Sequence, residues 1–167
     1  MNIVLTGFMG TGKSTVGTLL AARWGWPFVD LDVRIEQQTG STIEELFANV
    51  GEAGFRAEEA RALKAVAGEG PQVVAVGGGA VIHPGNLTLM RSTGVVVCLR
   101  ATPETILERV GDAATRPLLA EAVDRRAEVE RLLQARAGYY QQAHHTIDTD
   151  GVAPSHVASQ IEAELCR

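Results

Sequence analysis

The chain has 167 residues, 46% of them hydrophobic and 21% charged, with a mean hydropathy of +0.05, the range of a single globular domain and not of a disordered or membrane-spanning chain. Its formal charge of −5 argues against a general binder of nucleic acid or membrane surface, because such binders need a positive field over phosphates. Any anionic ligand must therefore be held by local cations.

In chain order, Ile3-Val4-Leu5 predicts a first strand. The N-terminus has no basic segment and no small-residue cleavage site, so no export signal is expected. The glycine-rich Gly7-Phe8-Met9-Gly10-Thr11-Gly12-Lys13-Ser14 leads into a helix with Val16, Leu19 and Leu20 on its buried face. Phe28-Val29-Asp30-Leu31-Asp32 predicts a second strand ending in acid. Ser41-Thr42-Ile43-Glu44 fits a capping box before a helix running towards Asn49, and another helix is expected from Phe55 to Ala67. Val73 to Val76 predicts a third strand, stopped by Gly77-Gly78-Gly79, and Val95 to Leu99 a fourth. Thr102-Pro103-Glu104 supplies a helix N-cap, a first-turn proline and an early acid. The aperiodic stretch 111–122 predicts a loop, followed by a helix over about 124–142, a weak strand at Thr146-Ile147-Asp148 and a last helix after Ser155. Short continuous apolar runs alternating with helices predict a parallel sheet covered on both faces.

Gly7 to Ser14 matches G-x-x-x-x-G-K-[ST] between strand and helix. Its glycines let backbone N–H groups wrap phosphate oxygens, Lys13 supplies a cation for the β- and γ-phosphates, and the Ser14 hydroxyl suits Mg²⁺. A nucleoside triphosphate is the expected ligand. No Asn-Lys-x-Asp guanine element occurs, which favours ATP. Asp30 and Asp32 at a strand end allow one carboxylate near Mg²⁺ and one near an acceptor hydroxyl, or a pair of acids that cap the next helix. Arg56, three residues before Glu59, is shaped for forked binding of a small carboxylate, or for a surface ion pair. Arg116, in the irregular loop, is placed to close over a γ-phosphate. The histidines at 83, 144, 145 and 156 lack ligand spacing, Trp24 and Trp26 are expected to pack, and Arg125, Arg126 and Arg131 to lie on a solvated helix face. Cys98 and Cys166 lack metal or redox spacing, pointing to reduced thiols in the cytoplasm.

In this order the segments resemble the shikimate kinase family over nearly the whole chain. The likeness is carried by the phosphate loop through Thr15, Asp30-Leu31-Asp32 with Ile35-Glu36, and Gly51-Glu52 with Phe55-Arg56 and Glu59. It continues in Gly77-Gly78-Gly79, Arg116-Pro117-Leu118-Leu119, Arg136 with Tyr140, and Asp148-Thr149 with Pro154. The resemblance implies an α/β, three-layer P-loop kinase fold with a five-stranded parallel sheet, a substrate-binding subregion over about 31–60 and a lid over about 111–122. It implies transfer of the ATP γ-phosphate to the 3-hydroxyl of shikimate. By the same resemblance Gly10, Thr11, Gly12, Lys13, Ser14 and Thr15 hold the phosphates, Arg109 and Pro154 flank adenine, and Lys13 and Arg116 neutralise the transferring group. Asp32 faces the acceptor hydroxyl, Arg56 and Arg136 clamp the carboxylate, Phe47 and Phe55 wall the ring, and Gly77, Gly78 and Gly79 line the substrate. Ser14 and, through water, Asp30 serve Mg²⁺. One departure is visible: 148–154 lacks the basic residue that many relatives place near adenine. A gluconate-type kinase is disfavoured because Val33-Arg34-Ile35-Glu36, without histidine, follows the acidic strand. A non-catalytic sensor is disfavoured because Lys13, Asp32 and Arg116 are all present. With no evident exposed apolar stripe, a monomer is expected.

Overall fold

The computed structural model describes residues 1–83, 85–111, 119 and 122–166. Five strands, β1 (Asn2–Thr6), β2 (Phe28–Asp30), β3 (Val73–Ala75), β4 (Gly94–Arg100) and β5 (His145–Asp148), form one sheet in the order β2-β3-β1-β4-β5. Every neighbouring pair is parallel. The order reverses direction at β1, so the crevice beyond its carboxyl end is where a parallel sheet of this kind binds ligands.

Helices α1 (Lys13–Trp24), α2 (Leu31–Thr39), α3 (Ile43–Ala67), α4 (Asn86–Thr93), α5 (Pro103–Val110), α6 (Arg125–Tyr140) and α7 (Pro154–Leu165) cover the sheet. One face packs Val4, Val74 and Val96 against Leu31, Ile35, Leu63 and Met90. The other packs Ile3, Leu5 and Val97 against Val16, Leu20 and Ile161. Alternate residues of β1 and β4 thus enter opposite cores, which is why these strands are apolar throughout. A third cluster joins Phe8 to Ile106, Leu119, Val129 and Leu132.

Two expectations need correction. The second strand ends at Asp30, and Asp32 already belongs to α2. The Asp30 side chain accepts the Asp32 N–H at 3.1 Å, so Asp30 is the N-cap of α2. The capping box is Thr42 with Glu45, one residue later than expected: the Thr42 N–H donates to Glu45 at 2.8 Å and the Glu45 N–H to Thr42 at 3.2 Å. The two helices expected over 42–67 are both present and meet within α3 at a kink, where Gly51 takes φ 68°, ψ −179°, a backbone conformation that a side chain makes costly. Helix α4 and a 3₁₀ turn at Ala80–Ile82 lay outside the periodic patterns and were not anticipated.

Candidate active site

The phosphate loop is built by three left-handed glycines, Gly7 (φ 133°), Gly10 (φ 77°) and Gly12 (φ 93°). At Gly7 a Cβ would also stand 2.2 Å from the Leu99 carbonyl oxygen, so both space and conformation demand glycine there. Lys13 Nζ donates to the Gly7 and Phe8 carbonyls, each at 2.9 Å, which arches the loop over the start of α1. The Ser14 hydroxyl donates to Asp30 Oδ2 at 2.6 Å. The N-cap geometry of Asp30 therefore fixes one carboxylate oxygen beside Ser14 while its other oxygen starts α2 and turns Asp32 towards the crevice.

Three cavities adjoin along this crevice. One, of about 390 Å³, is lined by Gly10, Thr11, Thr15, Arg109, Val152 and Pro154 among others. Arg109 is tied down there, donating to Gly10 O at 3.2 Å, to Thr149 Oγ1 at 3.0 Å and to Thr149 O at 2.6 Å. A second, of about 370 Å³, holds Lys13, Ser14, Asp30 and Asp32 and shares Gly10, Gly12 and Thr15 with the first. The third, of about 460 Å³, is walled by Phe47, Phe55, Arg56, Glu59, the three glycines 77–79 and Arg136. Met9, Asp32, Gly77 and Gly78 line both the second and the third, so these cavities meet at the Asp32 carboxylate.

The third cavity is electrically unusual. Arg136 is only 3% exposed, its guanidinium sits 5.3 Å from the Phe8 ring centre, and its Nε has no hydrogen-bond partner among the described residues. Arg56 donates to Glu59 Oε2 at 2.9 Å and stands 5.1 Å from the Phe55 ring, itself 4.6 Å from Phe47. Glu59 is completely buried, and that desolvation pushes its carboxyl up to about 7 in spite of Arg56 beside it. Tyr140 donates to the Gly78 carbonyl at 2.7 Å, and burial pushes its phenol up to about 12.

The run of glycines leaves little space for side chains. A Cβ on Gly79 would stand 2.3 Å from Arg56 Nη2, one on Gly78 3.0 Å from the Gly7 carbonyl oxygen and 3.4 Å from Arg136 Nη1, and one on Gly77 2.8 Å from Glu59 Oε1. Both guanidinium forks thus lie directly on the backbone that leaves β3. The geometry brings together Lys13, Ser14, Asp30, Asp32, Phe47, Phe55, Arg56, Gly77–Gly79 and Arg136, with Arg109 and Pro154 at the far end. Arg116 and most of the expected lid lie outside the described residues; Leu119 is buried in the cluster around Phe8. Met9, Glu36 and Thr149 also line or brace the crevice and were not singled out for it. A methionine at a variable position of the loop carries no signal in a single sequence. The bland expectations for Trp24 and Trp26 fit their edge-to-face packing at 5.2 Å. His144 does more than expected, its Nδ1 accepting the Val96 N–H at 2.9 Å.

Comparison with known proteins agrees over the same span. The model of one protein family, shikimate kinase, matches residues 9–166. The chain is 42% identical to the shikimate kinase of Thermodesulfovibrio yellowstonii over 99% of its own length and 95% of that protein. It is 46% identical to that of Geobacter sulfurreducens, over 96% and 88%. In three dimensions it is similar to the shikimate kinase of Acinetobacter baumannii in complex with shikimate, at a TM-score of 0.95 and 37% identity over 99% and 92% of the two chains. The enzyme of Aquifex aeolicus gives 0.83 and 31%, over 99% and 96%. A P-loop sheet of this order, a crevice running from phosphate cradle to paired guanidinium groups, and likeness over nearly the full length lead to one conclusion: the chain belongs to the shikimate kinase family.

Proposed function

We propose that the chain transfers the γ-phosphate of ATP to the 3-hydroxyl of shikimate, giving shikimate 3-phosphate and ADP on the route to chorismate and the aromatic amino acids. The observation that carries the residue assignment is Arg136. A guanidinium buried to 3% exposure with an unsatisfied N–H is costly to leave without an anion. It lines, with Arg56, the cavity that opens onto the phosphate loop. A ring with one carboxylate and several hydroxyls meets both needs: the forks grip the acid, and polar groups near Asp32 receive the hydroxyls.

On this reading adenine lies between Arg109 and Pro154, and the phosphates rest on the N–H groups of residues 10–15 with Lys13 over the β- and γ-oxygens. The oxygen donors Ser14 and Asp30, held 2.6 Å apart at the phosphate cavity, fit a hard cation that keeps several waters. Ser14 would ligate Mg²⁺ directly and Asp30 through water; bound Mg²⁺ neutralises phosphate charge. Asp32 accepts a hydrogen bond from the 3-hydroxyl and takes its proton as the new P–O bond forms and the bond to the ADP oxygen breaks. In a loose transition state little early deprotonation is needed, so aiming the hydroxyl is the larger part of its work. Phe47 and Phe55 flank the ring, and Gly77–Gly79 let substrate and guanidinium groups approach the backbone. Arg116 is assigned to the transferring phosphoryl group on family resemblance, as is a lid over about 111–122 that closes on it. Residues about 31–60 form the substrate-binding subregion.

No helix among the described residues is long and apolar enough to cross a membrane. The reading extends to a cytoplasmic monomer with ATP and shikimate as its partners and no nucleic acid. Among the described residues, exposed large apolar side chains such as Val33, Val50, Ile82 and Tyr139 come from separate elements, which supports the monomer. An ADP-release assay with ATP, Mg²⁺ and a panel of hydroxy acids tests the activity. Turnover with shikimate well above the other acids is expected; turnover confined to another acid removes the reading.

A further inference from the structure

The buried carboxyl of Glu59 has a role beyond fixing Arg56. Oε2 accepts from Arg56 Nη1 at 2.9 Å, whereas Oε1 has no hydrogen-bond partner among the described residues although the side chain is wholly buried. Oε1 faces Gly77 on the side that Asp32 also occupies: a Cβ placed on Gly77 would lie 2.8 Å from Glu59 Oε1 and 3.3 Å from Asp32 Oδ1. The interior of the cavity therefore holds two guanidinium groups, Arg56 from α3 and Arg136 from α6, and two carboxyls, Asp32 from α2 and Glu59 from α3. Glu52 reaches Arg56 Nη2 at 3.4 Å from the exposed side, and Glu36 and Glu44 stand at the mouth.

With both interior carboxyls ionised the four groups sum to zero. A substrate carboxylate on the two forks adds one negative charge to a site screened from water, where like charges within a few ångströms strongly favour neutralising one of them. Asp32 is needed as an acceptor for the reacting hydroxyl. Glu59 touches no reacting atom, and its free oxygen has room to carry a hydrogen.

We propose that Glu59 takes up a proton from solvent when the substrate carboxylate binds, so that the pocket exchanges one buried anion for another. Resting on the functional reading above, this makes Glu59 a proton-linked positioning residue. Oε2 keeps Arg56 aimed at the acid, and the protonated Oε1 becomes a donor on the side of Asp32, leaving Asp32 to accept from the hydroxyl. The balance is a single protonation, reversed when product leaves. Its burial already places the carboxyl near neutrality in the absence of substrate, so a modest further push is enough.

Isothermal titration of shikimate into the full chain, in buffers of different ionisation enthalpy, counts the protons. At pH 8 the expected uptake is at least about half a proton per shikimate, falling towards zero below about pH 6, where Glu59 is already protonated. No described histidine lines the cavity, so a competing source is not built into it. In Glu59→Gln, which keeps an acceptor for Arg56 and supplies a neutral donor, the uptake at pH 8 is expected to vanish and affinity to lose its pH dependence. Saturable binding with no uptake by the natural chain at pH 8 overturns the proposal without touching the kinase reading, and needs no variant. Uptake that persists in Glu59→Gln overturns it by moving the proton to Asp32. Failure of shikimate to bind at all removes the functional reading and this proposal together.

Discussion

A guanidinium buried as deeply as Arg136 is held by what surrounds it, the Phe8 face on one side and the Gly78 backbone on another, and on the proposed reading by the substrate carboxylate. Its fork is the part that matters. Arg136→Lys replaces two parallel donors with a point charge, so KM for shikimate is expected to rise tenfold or more, roughly 1.4 kcal/mol or above, with KM for ATP little changed. Gly79→Ala makes the same point from the backbone. The added methyl overlaps Arg56 Nη2, pushes the guanidinium off the carboxylate position and raises the same constant by a comparable factor. Steady-state kinetics with each substrate varied in turn separate these effects; a rise in KM for ATP alone would sink both. Asp32→Asn is expected to lower kcat by roughly 10²–10⁴-fold, the span of a positioned acid–base group, while ATP affinity barely moves. A variant with half the natural turnover would leave Asp32 a spectator. The phosphate loop and Arg56 with Glu59 were legible in the chain because each carries its chemistry in local spacing; the triple glycine was legible there only as the stop of a strand, its place at the site being implied by family resemblance. The burial of Glu59, the orphaned nitrogen of Arg136 and the place of Met9 were not, because each depends on residues brought together across the sheet.

At the scale of the element, the substrate wall depends on a short helical arm. The first half of α3 carries Phe47, starts at the Thr42–Glu45 capping box and bends away at Gly51. Glu36 of α2 reinforces it, its Oε1 accepting the Ile43 N–H at 2.9 Å. Thr42→Ala removes the side-chain half of the box and is expected to cost about 1 kcal/mol, seen as a lower urea midpoint. KM for shikimate is expected to rise along with it, since Phe47 loses its fixed mount; an unchanged midpoint would show that the Glu36 link alone holds the arm. The strands were legible from their apolar runs, and α5 from Thr102-Pro103, whose N-cap bond forms at 3.4 Å. Where the pattern misled, it did so at a boundary. Phe28 to Asp32 looks like continuous strand because alternation and a strand-to-helix turn cannot be told apart over five residues. The deciding feature is Asp30 bonding its own backbone two residues on, a competition that short acidic side chains often win. That turn places one carboxylate beside Ser14 and the other at the meeting point of two cavities, a division of labour that a simple strand would not produce.

For the whole molecule, the proposal for Glu59 ties ligand binding and folding to the same buried carboxyl. Glu59 ordinarily titrates near 4.5 and is pushed up to about 7 in the fold. Its folded form thus holds the proton more tightly than the unfolded chain does. The corresponding stability is fully present below about pH 4.5 and lost as pH rises through about 7; between pH 5.5 and 8 the loss is about 2 kcal/mol. Other groups act in the opposite sense. The carboxylates of Asp148 and Asp150 are held below their usual range, the first by Arg100 and the second by Thr105 and Thr102, so their stabilisation fades only in acid. Desolvation lowers His144, whose contribution is present above its ordinary value of 6.5 and declines as pH falls below it. These contributions are common to the natural chain and to Glu59→Gln, so subtracting their unfolding free energies at each pH isolates the buried carboxyl. The difference is expected to shift by about 2 kcal/mol against the natural chain between pH 5.5 and 8 in urea titrations without substrate. A difference constant across that interval would mean that Glu59 is ionised throughout, and that the interior tolerates two carboxylates with only the two guanidinium groups to balance them.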